Sequence, residues 1–135
     1  MSEQLYELSR PFPESLVKQK PGAFKASYVE HSVISQRLLE VLGPHDFAVE
    51  RIVTNADGTV TGCTATLTVE IDGRRVSVTE VGDVERPSEN NGTNLKNAAS
   101  DAIKRCAMRL GVGLSLWSQE NYYLDKALEK RRERD

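Results

Sequence analysis

Residues 47–84 carry the pattern that constrains this chain most: three alternating segments separated by two tight turns. Alternation of apolar and polar residues is typical of β-strands that bury one face. Turns this short connect neighbouring antiparallel strands, and Asp-Gly is a strong hairpin signal. The sequence therefore predicts a strongly curved antiparallel meander with one covered face. Its strands are Phe47–Thr54, Thr59–Ile71 and Arg74–Val84, with turns at Asn55–Gly58 and Asp72-Gly73.

A helix rich in alanine follows the meander. From Leu95 to Leu110 the apolar residues keep i, i+3, i+4 spacing through four turns, and most of them are Ala. Because Ala has little bulk, this helix can lie close to a sheet. Thr93 or Asn94 is the expected N-cap, and residues 85–93 are expected to form a loop. The predicted class is α+β: a curved antiparallel meander of three long strands plus a short one, packed on the Ala-rich helix and flanked by further helices.

The flanking segments complete this order. Three segments precede the meander: a helix at Pro13–Lys20, a short strand in AFKASYV, and an amphipathic helix at Glu30–Leu42 closed by Gly43-Pro44. A helix at Glu120–Arg134 follows the Ala-rich helix. The domain prediction is an N-terminal arm with a short helix at 1–22, a core domain at 23–119, and a C-terminal helix with a charged tail at 120–135.

Length and composition indicate one soluble domain. The 135 residues are 39% hydrophobic and 28% charged, which is enough apolar material for a core without disulfides. No apolar run is long enough to span a membrane, and the N-terminus does not resemble a signal peptide. Cys63 and Cys106 form no CxxC pair, so buried thiols in a reducing compartment are expected. The expected location is the cytoplasm of a bacterial or phage-infected cell, or a eukaryotic nucleus, without secretion.

The charge is distributed unevenly along the chain. The net charge is −2, yet residues 46–92 carry nine acids against four bases, whereas residues 93–111 carry four bases against one acid. The basic stretch coincides with the Ala-rich helix. At 100° per residue, Lys104, Arg105 and Arg109 project away from the apolar stripe, together with Asp101. Such an edge matches a phosphate backbone, but a solvated face with an Asp101–Arg105 pair at i, i+4 is equally compatible with these residue types.

The sequence contains few residue patterns that are typical of an enzyme. His31 and His45 are the only histidines, and no GxSxG, HExxH or P-loop pattern is present. The acids of residues 46–92 suggest a metal-dependent nuclease as one alternative, although they are spread over three strands and two turns. We therefore expect no enzyme activity, no metal and no cofactor.

The basic helix also carries a family resemblance. AASDAIKRCAMRLGVGL, followed by NYYLDKAL, resembles the hallmark helix of Rad52-type single-strand annealing proteins, whose form is EAxTDxLKRAxxxxGxxLG. Upstream, SYVEHSVISQRLLEVLGPHDF is similar to that family's strand, YIE turn and helix. The hairpin turns and polar loop come in the family's order. The resemblance covers roughly residues 13–127.

The resemblance implies a ring or helical homo-oligomer that holds single-stranded DNA in a positively charged groove. The family's groove-lining pair corresponds to Lys104 and Arg105. Three other family cations are displaced. One falls at Met108, next to Arg109; one falls at Val33, with Arg37 a turn later; and a lysine of a secondary DNA site falls at Thr59.

The expected function is binding of single-stranded DNA and ATP-independent annealing of complementary strands in recombination and repair. The expected partners are single-stranded DNA, its complement, further copies of the chain and a host or phage single-strand-binding protein. A double-stranded-RNA-binding module is the second alternative, because it shares the helix, three-strand, helix order. Trp117, Tyr122 and Tyr123 are expected to pack or to line a subunit interface more readily than to stack on bases. The candidate DNA-binding residues are Lys104, Arg105, Arg109, Lys96, Arg37 and Arg51.

Overall fold

The computed structural model describes residues 2–20, 27–118, 122–124, 127–128 and 130. In chain order the elements are α1 (Glu3–Ser9), a 3₁₀ turn (Glu14–Leu16), β1 (Lys18–Gln19), β2 (Ser27–Tyr28), α2 (His31–Leu42), β3 (Asp46–Thr54), β4 (Val60–Ile71), β5 (Arg74–Asp83), α3 (Asn91–Met108) and α4 (Leu114–Ser118). The α+β class is therefore confirmed. Within these residues, no helix has the length and apolar character that crossing a membrane requires.

The predicted meander is confirmed as a three-stranded antiparallel sheet in the order β3-β4-β5. Asp72 and Gly73 both adopt positive φ, 52° and 79°, as a tight hairpin turn requires. Leu67 of β4 pairs with Phe47 on one side and Val78 on the other, so these three side chains share one face. The short strand β2 does not join this sheet, since it pairs with β1 in a separate two-stranded sheet.

The helix α3 covers one face of β4 and β5. Cys63 and Ala65 of β4 are fully buried together with Ala98 and Ala102 of α3. The larger part of the core lies further along the same face, where α1, α2, β4 and the end of α3 meet: its fully buried members include Leu8, Leu38, Leu67, Cys106 and Val112. Both cysteines are free and buried, as predicted.

The N-terminal segment differs from the prediction. The helix expected at Pro13–Lys20 is wrong: only a 3₁₀ turn forms at Glu14–Leu16, and Lys18–Gln19 is extended. The helix in this part of the chain is α1, which Ser2 caps by accepting a hydrogen bond from the Leu5 N–H (3.2 Å). Leu8 of α1 packs into the core, and burial of this apolar face outweighs the helix-start signal that Pro13 gives.

The beginning of α3 also differs from the prediction. The expected N-cap at Thr93 or Asn94 is wrong, because Asn90 is the N-cap and accepts from the Thr93 N–H (3.0 Å). Asn94 is instead buried and bonds both the N–H and the carbonyl of Ser88. Asn91 accepts from the Val60 N–H (2.9 Å), which ties the start of α3 to β4. The helix therefore begins inside the segment expected to be a loop.

Two other predictions fall partly on residues outside the described ranges. The helix predicted at Glu30–Leu42 is confirmed as α2, with Glu30 as its N-cap and Gly43, at a φ of 81°, as its C-cap. Of the strand expected in AFKASYV, only Ser27 and Tyr28 belong to the described part, and both are extended. The helix expected at Glu120–Arg134 lies mostly outside the described residues.

Candidate nucleic-acid interface

Lys104 and Arg105 lie side by side in the middle of α3, on the side that faces β2 and α4. Their neighbours Ile103, Cys106 and Ala107 are buried against the core, which leaves the two cations at the helix margin. Each cation lies over an aromatic ring. Lys104 Nζ is 5.2 Å from the centre of the Tyr28 ring, and Arg105 Cζ is 5.0 Å from the centre of the Trp117 ring. The sequence therefore folds so that two basic and two aromatic side chains meet.

Three of these side chains, Lys104, Tyr28 and Trp117, line a cavity of about 180 Å³, and Arg105 lies next to it over the Trp117 ring. Lys20, Tyr28, Lys104 and Trp117 line it, and Asp101 contributes a carboxylate at its margin. Ile34 and Leu116 belong to its apolar lining. Segments far apart in the sequence thus supply three kinds of group: cations, aromatic rings and one carboxylate.

The environment of Lys104 is partly desolvated. Burial lowers the pKa of Lys104 from its ordinary value, and the nearby Lys20 acts in the same direction. Glu30 and Asp101 partly offset this by favouring the charged ammonium. Glu30 itself is held at 2.9 Å by Lys18, and this hydrogen bond lowers the pKa of Glu30. A half-buried cation of this kind gains more from an anionic ligand than a fully solvated one does.

Arg105 has a carboxylate partner on its own helix. Its Nε donates to Asp101 Oδ2 at 2.9 Å, the i, i+4 pair that the sequence left open. The same oxygen accepts from the Asp83 N–H at 3.1 Å, so Asp101 also ties α3 to the end of β5. The pair orients the guanidinium over Trp117 and leaves its terminal N–H groups to bind other acceptors.

The other candidate residues are dispersed. Lys96 is exposed two turns before Lys104, about 12 Å along the helix axis. Arg109 is exposed but forms an ion pair with Glu80, which lowers the pKa of that carboxyl. Arg51 is exposed on β3 opposite Thr64, on the sheet face that α3 does not cover. Of the predicted site residues, only Lys104 thus lines the cavity, and Arg105 lies next to it over Trp117.

Arg37 has an internal position. Arg37 is only 7% exposed. Its Nη1 donates hydrogen bonds to the carbonyls of Glu7, Leu8 and Arg10 at 3.3, 3.1 and 2.7 Å. Its guanidinium also lies 4.2 Å from the centre of the Phe12 ring. These contacts fix α1 and the following segment on α2, which conflicts with the predicted role of Arg37 as a DNA contact.

Two residues of the cavity were not predicted as site residues. Lys20 and Tyr28 lie in segments whose local pattern indicates only a helix end and a short strand, and the proximity of both to α3 arises from tertiary packing. Trp117, which the sequence predicts to pack or to line a subunit interface, is 42% exposed and lines the cavity. In the part of the chain that the structure describes, no three His, Cys, Asp or Glu side chains are close enough to share a metal ion.

Comparison with known proteins places this geometry in context. The family described as "Rad52/22 family double-strand break repair protein" matches residues 1–134. The single-stranded DNA-binding protein DdrA of Deinococcus radiodurans is 30% identical over 135 residues, covering 93% of this chain and 60% of that protein. The protein of the same name from Deinococcus deserti is 32% identical over 126 residues, covering 87% and 58%. The chain thus spans less than two thirds of these curated relatives. No solved structure matches it significantly.

Proposed function

The chain belongs to the Rad52/22 family of double-strand break repair proteins, and from this premise we propose that it binds single-stranded DNA and anneals complementary strands. The relatives named as single-stranded DNA-binding proteins support the choice of ligand. The observation that carries the proposal is the adjacent pair Lys104 and Arg105, held at the margin of α3 beside a cavity with aromatic walls.

Each member of this pair has a defined part in binding. The ammonium of Lys104, desolvated by burial, pairs with one phosphate, and the guanidinium of Arg105 pairs with a neighbouring one. Asp101 holds Arg105 through Nε, so the terminal N–H groups of the guanidinium are oriented before the strand arrives. Binding through phosphates is independent of base sequence and leaves base edges accessible to a complementary strand. Base pairing then supplies the free energy of annealing, and no nucleotide hydrolysis is needed.

Two cations in one subunit bind a strand weakly, so the proposal includes a homo-oligomer with a ring or helical arrangement. Repetition of the site along one strand links many weak contacts into tight binding. The edge strand β3 supports self-association, since Val49, Ile52 and Val53 are exposed large apolar side chains on it. An edge strand with this composition is normally covered in the working assembly.

The test compares two double substitutions that each remove an adjacent basic pair. Lys104→Ala with Arg105→Ala removes the proposed phosphate contacts; Arg74→Ala with Arg75→Ala removes the same charge from the exposed β4–β5 hairpin. Fluorescence anisotropy with a labelled oligonucleotide measures binding, and recovery of duplex from two complementary strands measures annealing. We expect the first variant to lose both activities and the second to keep both.

Salt dependence separates a phosphate role from a folding defect. The logarithm of the binding constant falls by roughly 0.7 per phosphate contact for each tenfold rise in salt. A variant that lacks only Arg105 should show a smaller slope with an unchanged circular dichroism spectrum. Equal binding and annealing by the Lys104/Arg105 variant and the wild type would refute the proposal. Displacement of the strand by double-stranded RNA in preference to single-stranded DNA would favour the RNA-binding alternative.

A further inference from the structure

The cavity beside Lys104 has a composition that phosphate binding alone does not require. Phosphates are bound by cations and N–H groups at an open surface. Here Lys20 and Lys104 line a partly open cavity of about 180 Å³, many times the room that one water molecule needs. Its walls include Tyr28 from β2 and Trp117 from α4, so two separate elements supply its aromatic surface.

Tyr28 and Trp117 both have a cation on one ring face. Lys104 lies over the Tyr28 ring and Arg105 over the Trp117 ring, at 5.2 and 5.0 Å. Flat aromatic surface next to cations is the arrangement by which proteins bind a nucleotide of a single strand: the base stacks on the ring and the cation takes the phosphate. Trp117 is 42% exposed, so a ligand can reach its ring without unfolding the core.

Asp101 adds a hydrogen-bond acceptor at the margin of the cavity. Its Oδ2 already accepts from Arg105 Nε and from the Asp83 N–H. A carboxylate offers about four acceptor positions, so acceptor capacity remains for an N–H group of a base. A carboxylate next to the bound phosphates has no favourable contact with the phosphates themselves, whereas it has one with a base edge.

We propose that this cavity binds one nucleobase of the bound strand, stacked against Trp117 and Tyr28 while Lys104 and Arg105 hold the adjacent phosphates. This inference rests on the proposed single-strand binding and refines it. One base in each subunit is withdrawn from pairing, and the remaining bases stay accessible to the complement. The withdrawn base sets the register of the strand relative to the subunits.

Trp117 reports directly on this cavity because it is the only tryptophan in the chain. Binding of a labelled oligothymidylate to the full chain is compared with binding of an abasic strand of the same length, which keeps the phosphates and lacks the bases. Anisotropy measures affinity, and tryptophan emission measures stacking. We expect oligothymidylate to quench Trp117 and to bind about fivefold or more tightly than the abasic strand, which should leave the emission unchanged.

A substitution in the cavity wall tests the same inference from the protein side. Tyr28→Leu keeps apolar bulk but removes the ring; it should weaken oligothymidylate binding about fivefold or more and leave abasic binding unchanged. Tyr123→Leu is the matched control, since Tyr123 is 78% exposed and is not part of the cavity wall. It should change neither strand's binding.

The outcomes distinguish this inference from the proposed function. Equal affinity and equal quenching by the two strands would overturn the nucleobase site while leaving phosphate-based DNA binding intact. Failure of both strands to bind would overturn the proposed function and the nucleobase site together. The comparison of strands needs only the wild-type protein, so it holds even if Tyr28→Leu fails to fold.

Discussion

Lys104 combines a charge with partial burial, and this combination makes its protonation sensitive to ligand. Burial lowers the pKa of the ammonium below the ordinary lysine value of 10.5, with Lys20 contributing in the same direction. Glu30 and Asp101 act in the opposite direction. A phosphate at Lys104 Nζ favours the charged form, so binding of the strand raises the pKa again. Binding and protonation at this residue are therefore coupled.

This coupling predicts a pH profile that substitution can shift. Because the pKa of Lys104 lies below 10.5, this side chain loses its proton at a lower pH than an exposed lysine does. Wild-type binding should therefore begin to weaken at a lower pH than it would with an exposed lysine at this position. Lys104→Arg keeps its charge throughout this range, and its binding should persist to higher pH. Anisotropy titrations between neutral pH and 10.5 measure the difference. Lys96→Arg, at an exposed lysine of the same helix, should keep the wild-type profile; coincident profiles for all three proteins would contradict the prediction.

The basic side chains also show what residue types alone can predict. The sequence identifies Lys104, Arg105 and Arg37 as cations, and the family resemblance points to all three: Lys104 and Arg105 as the groove-lining pair, and Arg37 as the neighbour of a displaced family cation. It does not reveal that Arg37 donates to three carbonyls of its own chain, because these acceptors are 27 to 30 residues away and are brought near only by the packing of α1 on α2. Tertiary contacts, rather than residue type, distinguish an arginine bonded to its own backbone from one whose terminal N–H groups remain available to a ligand.

At the scale of elements, the contact of α3 with the sheet depends on small residues on both sides. A Cβ at Gly82 of β5 would lie 2.0 Å from the Ala98 carbonyl oxygen and 2.7 Å from the Ala102 backbone nitrogen. Both are backbone atoms of α3, so no side-chain rotation can relieve the overlap. The alanines of α3 and the glycine of β5 together set the distance between helix and sheet, and thus the position of Lys104 and Arg105.

Gly82→Ala should therefore be strongly destabilising. Overpacking of a tight core contact costs about 1–3 kcal/mol, and this overlap should reach the upper end, about 3 kcal/mol or more. Thr79→Ala is the control, because Thr79 belongs to the same strand on the opposite face and should lose about 1 kcal/mol or less with its hydrogen bond to Thr66. Urea unfolding followed by circular dichroism compares the two. A stability of Gly82→Ala within 1 kcal/mol of the wild type would show that the helix can shift freely on the sheet.

Elements with strong local signals were predictable, whereas those that depend on distant partners were not. Alternation and the Asp72-Gly73 turn specify β4 and β5, and the apolar repeat specifies the centre of α3. The start of α3 carries no apolar repeat. It is held instead by hydrogen bonds between Asn91 and Val60 and between Asn94 and Ser88. A sequence pattern does not show such bonds, because either Asn is equally suited to a loop.

At the scale of the whole molecule, the two edges of the sheet differ. The β5 edge lies beside α3, where the Asp83 N–H donates to Asp101. The β3 edge carries exposed apolar side chains on both of its faces: Ile52 pairs with Cys63 on the face toward α3, and Val53 pairs with Gly62 on the other. A strand that is apolar on both faces is typical of one that is covered on both faces. This asymmetry favours an assembly in which a second copy packs on β3.

Ile52→Glu tests that assembly directly. Ile52 is 53% exposed in the subunit, so the substitution should change the stability of a lone subunit by about 0.5 kcal/mol or less. In an apolar interface, the same carboxylate loses its hydration without a partner, so the variant should sediment as a smaller species than the wild type. Because linked sites are needed for tight binding, its affinity for a long oligonucleotide should fall while that for a short one changes little. Leu39→Glu is the control, because it places the same charge on an α2 residue that is 52% exposed, and it should preserve both sedimentation and binding. Equal sedimentation of the wild type, Ile52→Glu and Leu39→Glu would exclude β3 as the subunit interface.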